Sequence, residues 1–563
     1  VTNTDHRPQR WREQLLIATL GLLLFVPFLG AVRLFDWDEI NFAECAREMI
    51  VTGDYLHMQI DFRPFTEKPP LFVWTQVLSM QIFGINEFAA RLPNAIIGII
   101  TLLVLYHIGR RIRGNEFGLM WPLIYVGTLL PHFYARSGII DPLFNLFIFL
   151  SVWQILRGQL EGKARPLQAG LYASLAVMTK GPVGLGLVVL TTLVMWIWQR
   201  RSEHVPFPAK SLLTIIVVAM SLPALWLGID AVQNGPTFLI ENLAYQWRLL
   251  TTGEAGHAQP WYYHSIILLI GCYPASLFFF KGLSSAHDED ATHVLMRRWM
   301  IALFGVVLVV FSAVTTKIVH YSSMTYIPLT YLAATHVHAM IRGKRQWGRG
   351  LQLAVVVVCL LLTSVSVIVP WAFMNSSWML SLPSFRDAFL RSAMSRSVSW
   401  IGIEPAIGLL LLLGVVGALL LSRRSMRTAM IVLFGSVAIF ISVFLPVVAP
   451  RIEAYSQGAA LDYYASLRGK DVYVKPLTMK SYAHLFYTDK PRHLSSASKG
   501  IAIDAWEPWL LNGPIDHPAR FVCRVNDLDS WQSNPSLREI YREGGFVIFE
   551  RVTSLRDQRS HTP

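Results

Sequence analysis

About thirteen apolar runs punctuate the chain, most of them reaching the roughly 17–25 residues that a helix needs to cross a bilayer. They fall near 14–33, 92–111, 116–134, 140–157, 167–180, 183–199, 211–229, 262–281, 298–315, 321–341, 351–373, 403–421 and 428–448. The fifth and sixth are separated only by Thr179-Lys-Gly-Pro182, and the fifth is short. So many runs cannot be hidden in one water-soluble core. Composition agrees: 53% of the 563 residues are hydrophobic and 15% are charged, where a soluble chain carries about a quarter charged. Mean hydropathy is +0.43. The expected fold class is an α-helical polytopic membrane protein.

The formal net charge is +13, but the basic residues do not gather on one soluble face as in a nucleic-acid binder. They fill every second loop: Arg7/Arg10/Arg12, Arg110/Arg111/Arg113, Arg157/Lys163/Arg165, Arg200/Arg201/Lys210, Lys281/Arg297/Arg298, Arg342/Lys344/Arg345/Arg349 and Arg423/Arg424/Arg427. The positive-inside rule makes these loops cytoplasmic, with the N-terminus inside and the C-terminal segment outside. The alternation holds only if Lys180 lies in a turn between two spans. The run Leu15–Leu29 lacks a small-residue cleavage site and reads as a retained span. Cys45, Cys272, Cys359 and Cys523 show no metal or redox spacing.

The opposite set of loops carries the chemistry. Residues 34–91, 230–261 and 374–402 are long, and the turns near 135–141, 179–183 and 316–320 are short. Arg33-Leu-Phe-Asp-Trp-Asp-Glu-Ile-Asn-Phe-Ala-Glu44 places Asp36, Asp38 and Glu39 beside a span, where acids are costly. A helix on the membrane face should follow and end at Gly53, so Asp38 reads either as its N-cap or as a functional acid. In Phe62-Arg-Pro-Phe-Thr-Glu-Lys-Pro-Pro-Leu71, two prolines stiffen the chain and introduce a helix through Phe83. Lys68 then stands at a helix N-terminus, as a phosphate partner or a solvated charge. Asp141, before Pro142, is a second acid on the same face or a cap, with Arg136 as a counter-ion. Lys180 needs only snorkelling to explain it. Lys317 and Tyr321 are four apart and share a face if helical.

The 230–261 loop offers Arg248 and His257, followed by Pro260-Trp-Tyr-Tyr-His264. The His257/His264 spacing is not that of a standard zinc site. Glu67, His257 and His264 make a divalent metal (Zn) site only if the fold gathers them. The division expected is a membrane domain over residues 1–448, including loops 34–91 and 230–261, and a soluble α/β domain over 449–563. The latter rests on β-rich runs such as Asp471-Val-Tyr-Val-Lys475, Arg520-Phe-Val-Cys-Arg-Val525 and Phe546-Val-Ile-Phe-Glu-Arg-Val552. It reads as a stabilising or partner-binding appendage. A transporter would instead show ionisable residues or broken spans at the midplane, and here the charges collect at the span ends.

Asp38-Glu39 with the following Phe-Ala-Glu resembles the first outer loop of the GT-C glycosyltransferases, multi-span enzymes that take sugar from a polyprenyl phosphate and include the protein O-mannosyltransferases. Within that class, Phe65-Thr-Glu-Lys-Pro69, Ile140-Asp-Pro142, Met178-Thr-Lys-Gly181, the His257…Pro-Trp-Tyr-Tyr263 run and Lys317-x-x-x-Tyr321 are similar to the bacterial 4-amino-4-deoxy-L-arabinose lipid A transferases. The resemblance covers the chain from the first loop through the tenth span. Trp37 before Asp38, His320 inside the Lys–Tyr motif and a gap near Arg248 depart from the family pattern. The resemblance implies inverting transfer of aminoarabinose from undecaprenyl phosphate to a lipid A phosphate at the bacterial inner membrane, by a monomer, giving polymyxin resistance. Asp38 and Asp141 would be catalytic, and Lys68, Arg248, Lys317, Tyr321 and Glu39 would hold phosphate or substrate.

Overall fold

The computed structural model describes residues 7–203, 206–242, 244, 259–284, 290–382 and 385–552. Each expected span has a helix or a helix pair as its counterpart. Among the described residues, eight helices are long and apolar enough to cross a membrane, from Glu87–Arg113 to Met426–Ser466. A ninth is counted if Tyr263–Gly271 and Ala275–Gly282, bent by 110°, form one broken span. The short fifth run is a helix, Pro166–Lys180, closed by Gly181, and Val183–Glu203 follows at once. Lys180 therefore does sit at a turn between two helices.

The first loop folds back on itself. Asp38–Thr52 is helical and stops at Gly53, whose φ of +71° is the left-handed conformation that glycine tolerates. A tight hairpin follows, with Gln59–Ile60 pairing against Arg63–Pro64. Its two central residues, Asp61 and Phe62, both have positive φ (56° and 58°), the geometry that matches a two-residue turn to strand twist. Pro69 and Pro70 lead into the helix Leu71–Phe83, as the sequence implies.

One expectation is corrected here. Asp38–Thr52 does not lie open on a membrane surface, because every residue from Glu39 to Met49 except Asn41 is buried. It packs against Leu71–Phe83, the hairpin and the C-terminal helix Ala483–Thr488. Its acids find partners inside that junction. Arg47, 1% exposed, donates to both oxygens of Glu44 at 2.8 and 2.7 Å and reaches Asp489 at 3.2 Å. Burial, and then the nearby Glu44 carboxylate, push Glu48 well above the usual carboxylate range, and it accepts the Phe62 N–H at 2.8 Å.

The C-terminal part is a four-stranded sheet with flanking helices. The strand order is Tyr473–Pro476, Ala519–Arg524, Phe546–Arg551, Leu537–Glu543; the first pair is parallel and the others antiparallel. Leu537–Glu543 does not stand out among the β-rich runs, because it is an exposed, charge-bearing edge strand. The helix Met426–Glu453 carries through the expected boundary at 448, by way of a π-turn at Ala454–Gly458, into Ala459–Ser466.

The sheet domain packs directly onto the first loop. A single apolar core joins Ile40, Phe42, Met49, Phe72 and Val77 of the first loop to Ile140 and Leu143 and to Leu461, Tyr464, Phe486, Val522 and Ile548 of the C-terminal part. Polar ties reinforce it. Tyr487 Oη accepts the Leu34 N–H at 2.9 Å, Lys490 meets Asp61 at 2.5 Å, and Arg63 donates to Ser496 at 3.0 Å.

Under this core lies the buried pair Arg91–Glu39. The guanidinium grips both carboxylate oxygens (3.0 and 2.7 Å) and donates to the carbonyls of Leu29, Val32 and Arg33. Removing one partner of such a pair strands the other charge, at a cost of about 3–5 kcal/mol. Glu39→Gln should therefore lower the melting temperature of the detergent-solubilised protein clearly. The surface change Glu543→Gln should barely move it, and equal melting of the two variants would contradict the assignment.

Candidate functional site

Asp38 opens its helix, and Trp37 before it holds φ +73°. That backbone is costly for a bulky residue, of order 1–3 kcal/mol, and persists only where the surroundings enforce it. The surroundings here are the Lys480 ammonium 5.4 Å from the indole centroid and, on the preceding residue, Asp36, which accepts from Trp37 N–H (2.9 Å) and Ser481 Oγ (3.1 Å). The Asp38 carboxylate turns away from its own helix. Its Oδ2 lies 3.1 Å from His320 Nε2, and 38% of the side chain stays exposed. Capping does not account for it.

Asp141 opens the helix Asp141–Glu161, with Pro142 in the first turn. Its carboxylate does not cap that helix either. Oδ1 accepts from Lys180 Nζ at 2.6 Å and from Ser323 Oγ at 3.3 Å, and Ser323 in turn accepts from Asn145 at 2.9 Å. Oδ2 faces His320 Nε2 at 3.9 Å, so His320 stands between the two acids. Arg136, expected as the counter-ion of Asp141, points elsewhere, to the carbonyls of Leu24, Pro27 and Ser442. Lys180 takes that place. Its ammonium lies 5.0 Å from the Tyr321 ring centroid and 5.5 Å from that of Phe144, and only 9% of its side chain is exposed.

Lys68 belongs to the same field. Burial pushes its ammonium below the ordinary value; Glu67 opposes that, Lys180 adds to it, and Asp38 and Asp141 oppose it. The segment that carries it is pinned by Asn242, which donates to the Thr66 carbonyl at 2.8 Å. The assembled site thus has two acids at different depths, an imidazole between them, and two lysines. Such a set can hold a cation between carboxylates and an anion at the lysines.

Other expected residues are placed differently. Lys317 and Tyr321 do not share one helix, because Ile318 is extended and a 3-10 helix begins only at Val319. Lys317 is buried and donates to Val314 O at 2.6 Å, near the C-terminal end of the helix Ala291–Ala313, where the helix dipole favours a cation. Tyr321 does join the site, through its ring against Lys180. Glu39, expected on the substrate side, has both oxygens on Arg91, with Phe35 N–H and Gly138 N–H as further donors. It acts as a positioning residue. His264 is fully buried. Arg248 and His257 lie outside the described residues. Glu67 and His264 join no cluster of three metal-ligating side chains among the described residues.

Two members are easily missed in the sequence. Lys180 is signalled only by its place in the short turn between two apolar runs and by the Met178-Thr-Lys-Gly181 motif. His320 sits within Lys317-x-x-x-Tyr321, and nothing in its spacing pairs it with acids nearly two hundred residues or more upstream.

The architecture is that of a multi-span glycosyltransferase fold, shared with solved structures. ArnT from Cupriavidus metallidurans in the apo state superposes with a TM-score of 0.76, at 20% identity over 97% of this chain and 99% of that one. The same protein bound to undecaprenyl phosphate gives 0.73, at 19% identity over 96% and 98%. The family model described as dolichyl-phosphate-mannose-protein mannosyltransferase matches residues 67–226, a window that holds Lys68, Asp141 and Lys180. Among curated proteins, the chain is similar to undecaprenyl phosphate-alpha-4-amino-4-deoxy-L-arabinose arabinosyl transferases. One, from Proteus mirabilis, is 25% identical over 59% of this chain and 60% of its own length, so this match spans less than two thirds of that relative. Another, from Edwardsiella ictaluri, is 24% identical over 86% of this chain and 89% of its own.

The site carries a pH signature. Burial holds the His320 imidazole below its ordinary value of 6.5; Asp141 and Asp38 raise it, and Lys180 and Lys68 lower it further. The folded protein therefore favours the neutral ring, while the unfolded chain takes up a proton near 6.5. Stability from this group is complete above about pH 6.5 and is lost as pH falls below it. His320→Gln should flatten the acid limb of melting temperature against pH between 7 and 5. An unchanged acid limb would refute this.

Proposed function

We propose that the chain is an inverting glycosyltransferase that moves 4-amino-4-deoxy-L-arabinose from undecaprenyl phosphate to a phosphate of lipid A. The observation that carries the proposal is the grouping of Asp38, His320, Asp141 and Lys180 with Lys68 on a fold shared with an undecaprenyl-phosphate-binding protein. A lipid A phosphate oxygen attacks the anomeric carbon. The bond from that carbon to the donor phosphate breaks, its electron pair leaves on undecaprenyl phosphate, and the configuration inverts. Lys68 and Lys180 stabilise the charge that develops on the leaving phosphate.

The acceptor is already an anion, so no strong base is needed. Asp38, open to solvent on one side, pairs with the ammonium of the sugar and orients it. His320, neutral, holds Asp38, and Asp141 fixes Lys180. The basic loops support a bacterial inner-membrane protein with a cytoplasmic N-terminus and with site and C-terminal domain in the periplasm. The product adds positive charge to lipid A and with it resistance to polymyxin. The working unit in this reading is a monomer.

A second reading is protein O-glycosylation, favoured by the family model matched over residues 67–226. A hydroxyl acceptor would then need Asp38 as general base. Mass spectrometry separates the two. Expression in a strain without its own transferase should add aminoarabinose to lipid A, and Asp38→Asn or Lys180→Met should cut transfer by about 100-fold or more. Sugar found on protein, with lipid A unaltered, would favour the second reading. Full activity of Asp38→Asn would remove the site from both.

A further inference from the structure

The C-terminal sheet has a feature that the transfer chemistry does not use. Its strands Tyr473–Pro476 and Ala519–Arg524 run parallel, with Tyr473 opposite Ala519. Asp471 and His517 each lie two residues before that matched pair. Equal offsets on neighbouring parallel strands put side chains next to each other on one face, at the strand spacing of about 4.8 Å. The turn Arg492–Leu494 then brings His493 over the same end of the sheet. One ligand atom from each of Asp471, His493 and His517 lies within 4.8 Å of the other two. His493 Nε2 is 2.9 Å from Asp471 Oδ1, and the two imidazole centroids are 5.8 Å apart.

A surface His–Asp contact would need no more than the first of these distances. Two further observations go beyond it. A third ligand of the right type faces the pair. In addition, the Asp516 carboxylate lies beside the second imidazole, with Oδ1 3.3 Å from His517 Nδ1. Asp516 is itself fixed by Tyr473 Oη and Lys499 Nζ, both at 2.6 Å. A carboxylate beside an imidazole commonly accompanies a metal-ligating histidine. Donors on a tetrahedral ion bound at about 2.0–2.1 Å sit about 3.4 Å apart. The side chains of Asp471 and His493 are exposed, with room to rotate toward that spacing.

We propose that Asp471, His493 and His517 form a binding site for a borderline divalent ion of the Zn²⁺ type, with two imidazoles, one carboxylate and a position open to water. Oxygen-only ions such as Mg²⁺ do not fit two imidazole donors. The site ties the start of two strands to the 492–494 turn, on a face separate from Asp38 and Asp141.

The test uses the purified full chain in detergent, stripped with chelator and dialysed against micromolar Zn²⁺, with metal counted per chain by mass spectrometry. His493→Gln and His517→Gln should each bind one Zn²⁺ fewer than the unsubstituted protein, and a difference count of this kind is blind to metal held elsewhere. Asp516→Asn should keep the site but weaken it by about 10–100-fold. Co²⁺ in place of Zn²⁺ should give visible absorption bands that both histidine variants lose. Equal metal content in the unsubstituted protein and both variants, or no Zn²⁺ bound by any of them, would overturn the proposal. Unchanged melting temperatures of the metal-free variants will show that they fold.

Discussion

The Glu39 carboxylate connects everything that places the site. Arg91 holds it from the helix Glu87–Arg113, and Phe35 N–H holds it from the loop before Asp38. Gly138 N–H holds it from the turn that ends three residues before Asp141. One buried carboxylate thus sets three pieces of chain against each other, and two of those pieces carry the acids of the site. Its donors come in number and direction enough to offset the loss of water, which is the condition for keeping an ion pair away from solvent. Neighbouring residues in sequence, Asp38 and Glu39 divide the work: one faces the opening and the other anchors it.

Depth then separates the two acids chemically. Asp141 is 2% exposed and committed to Lys180. Asp38 is far more open and lies against the edge of His320. The imidazole between them is kept neutral, so it links the acids without adding a third charge. Lysines on either side complete a pattern in which cations and anions alternate. That arrangement suits a substrate that is itself charged at both ends.

Much of the membrane part is legible in the sequence, because apolar runs and basic loops obey the bilayer and need no tertiary knowledge. Gly53, Pro69-Pro70 and the Thr179-Lys-Gly-Pro182 turn all do locally what their chemistry suggests. The site is legible only in part. Asp38, Lys68 and Asp141 stand out because charge beside a span needs a reason. The partner of each is set by folding across long stretches of chain, which is why Arg136 looks a plausible mate for Asp141 while Lys180 is the real one. Amphipathic spacing in Asp38–Thr52 suggests a surface helix, since a buried face formed by a distant domain leaves no local mark. The Lys317–Tyr321 pair misleads for a related reason: spacing of four implies a shared face only inside an α-helix, and the chain is extended there.

The hydrogen bond from Leu34 to Tyr487 spans 453 positions of sequence. Ribosomes add about 5–20 residues per second, so some 20–90 s pass between the synthesis of its two ends. During that interval the helix Asp38–Thr52 lacks the part of its apolar covering that Ala483–Thr488 and the sheet supply. The helix that carries Asp38 is thus made early and covered late. Any chain stopped short of the final sheet leaves the helix that carries Asp38 without the part of its core that Val522, Phe546 and Ile548 supply.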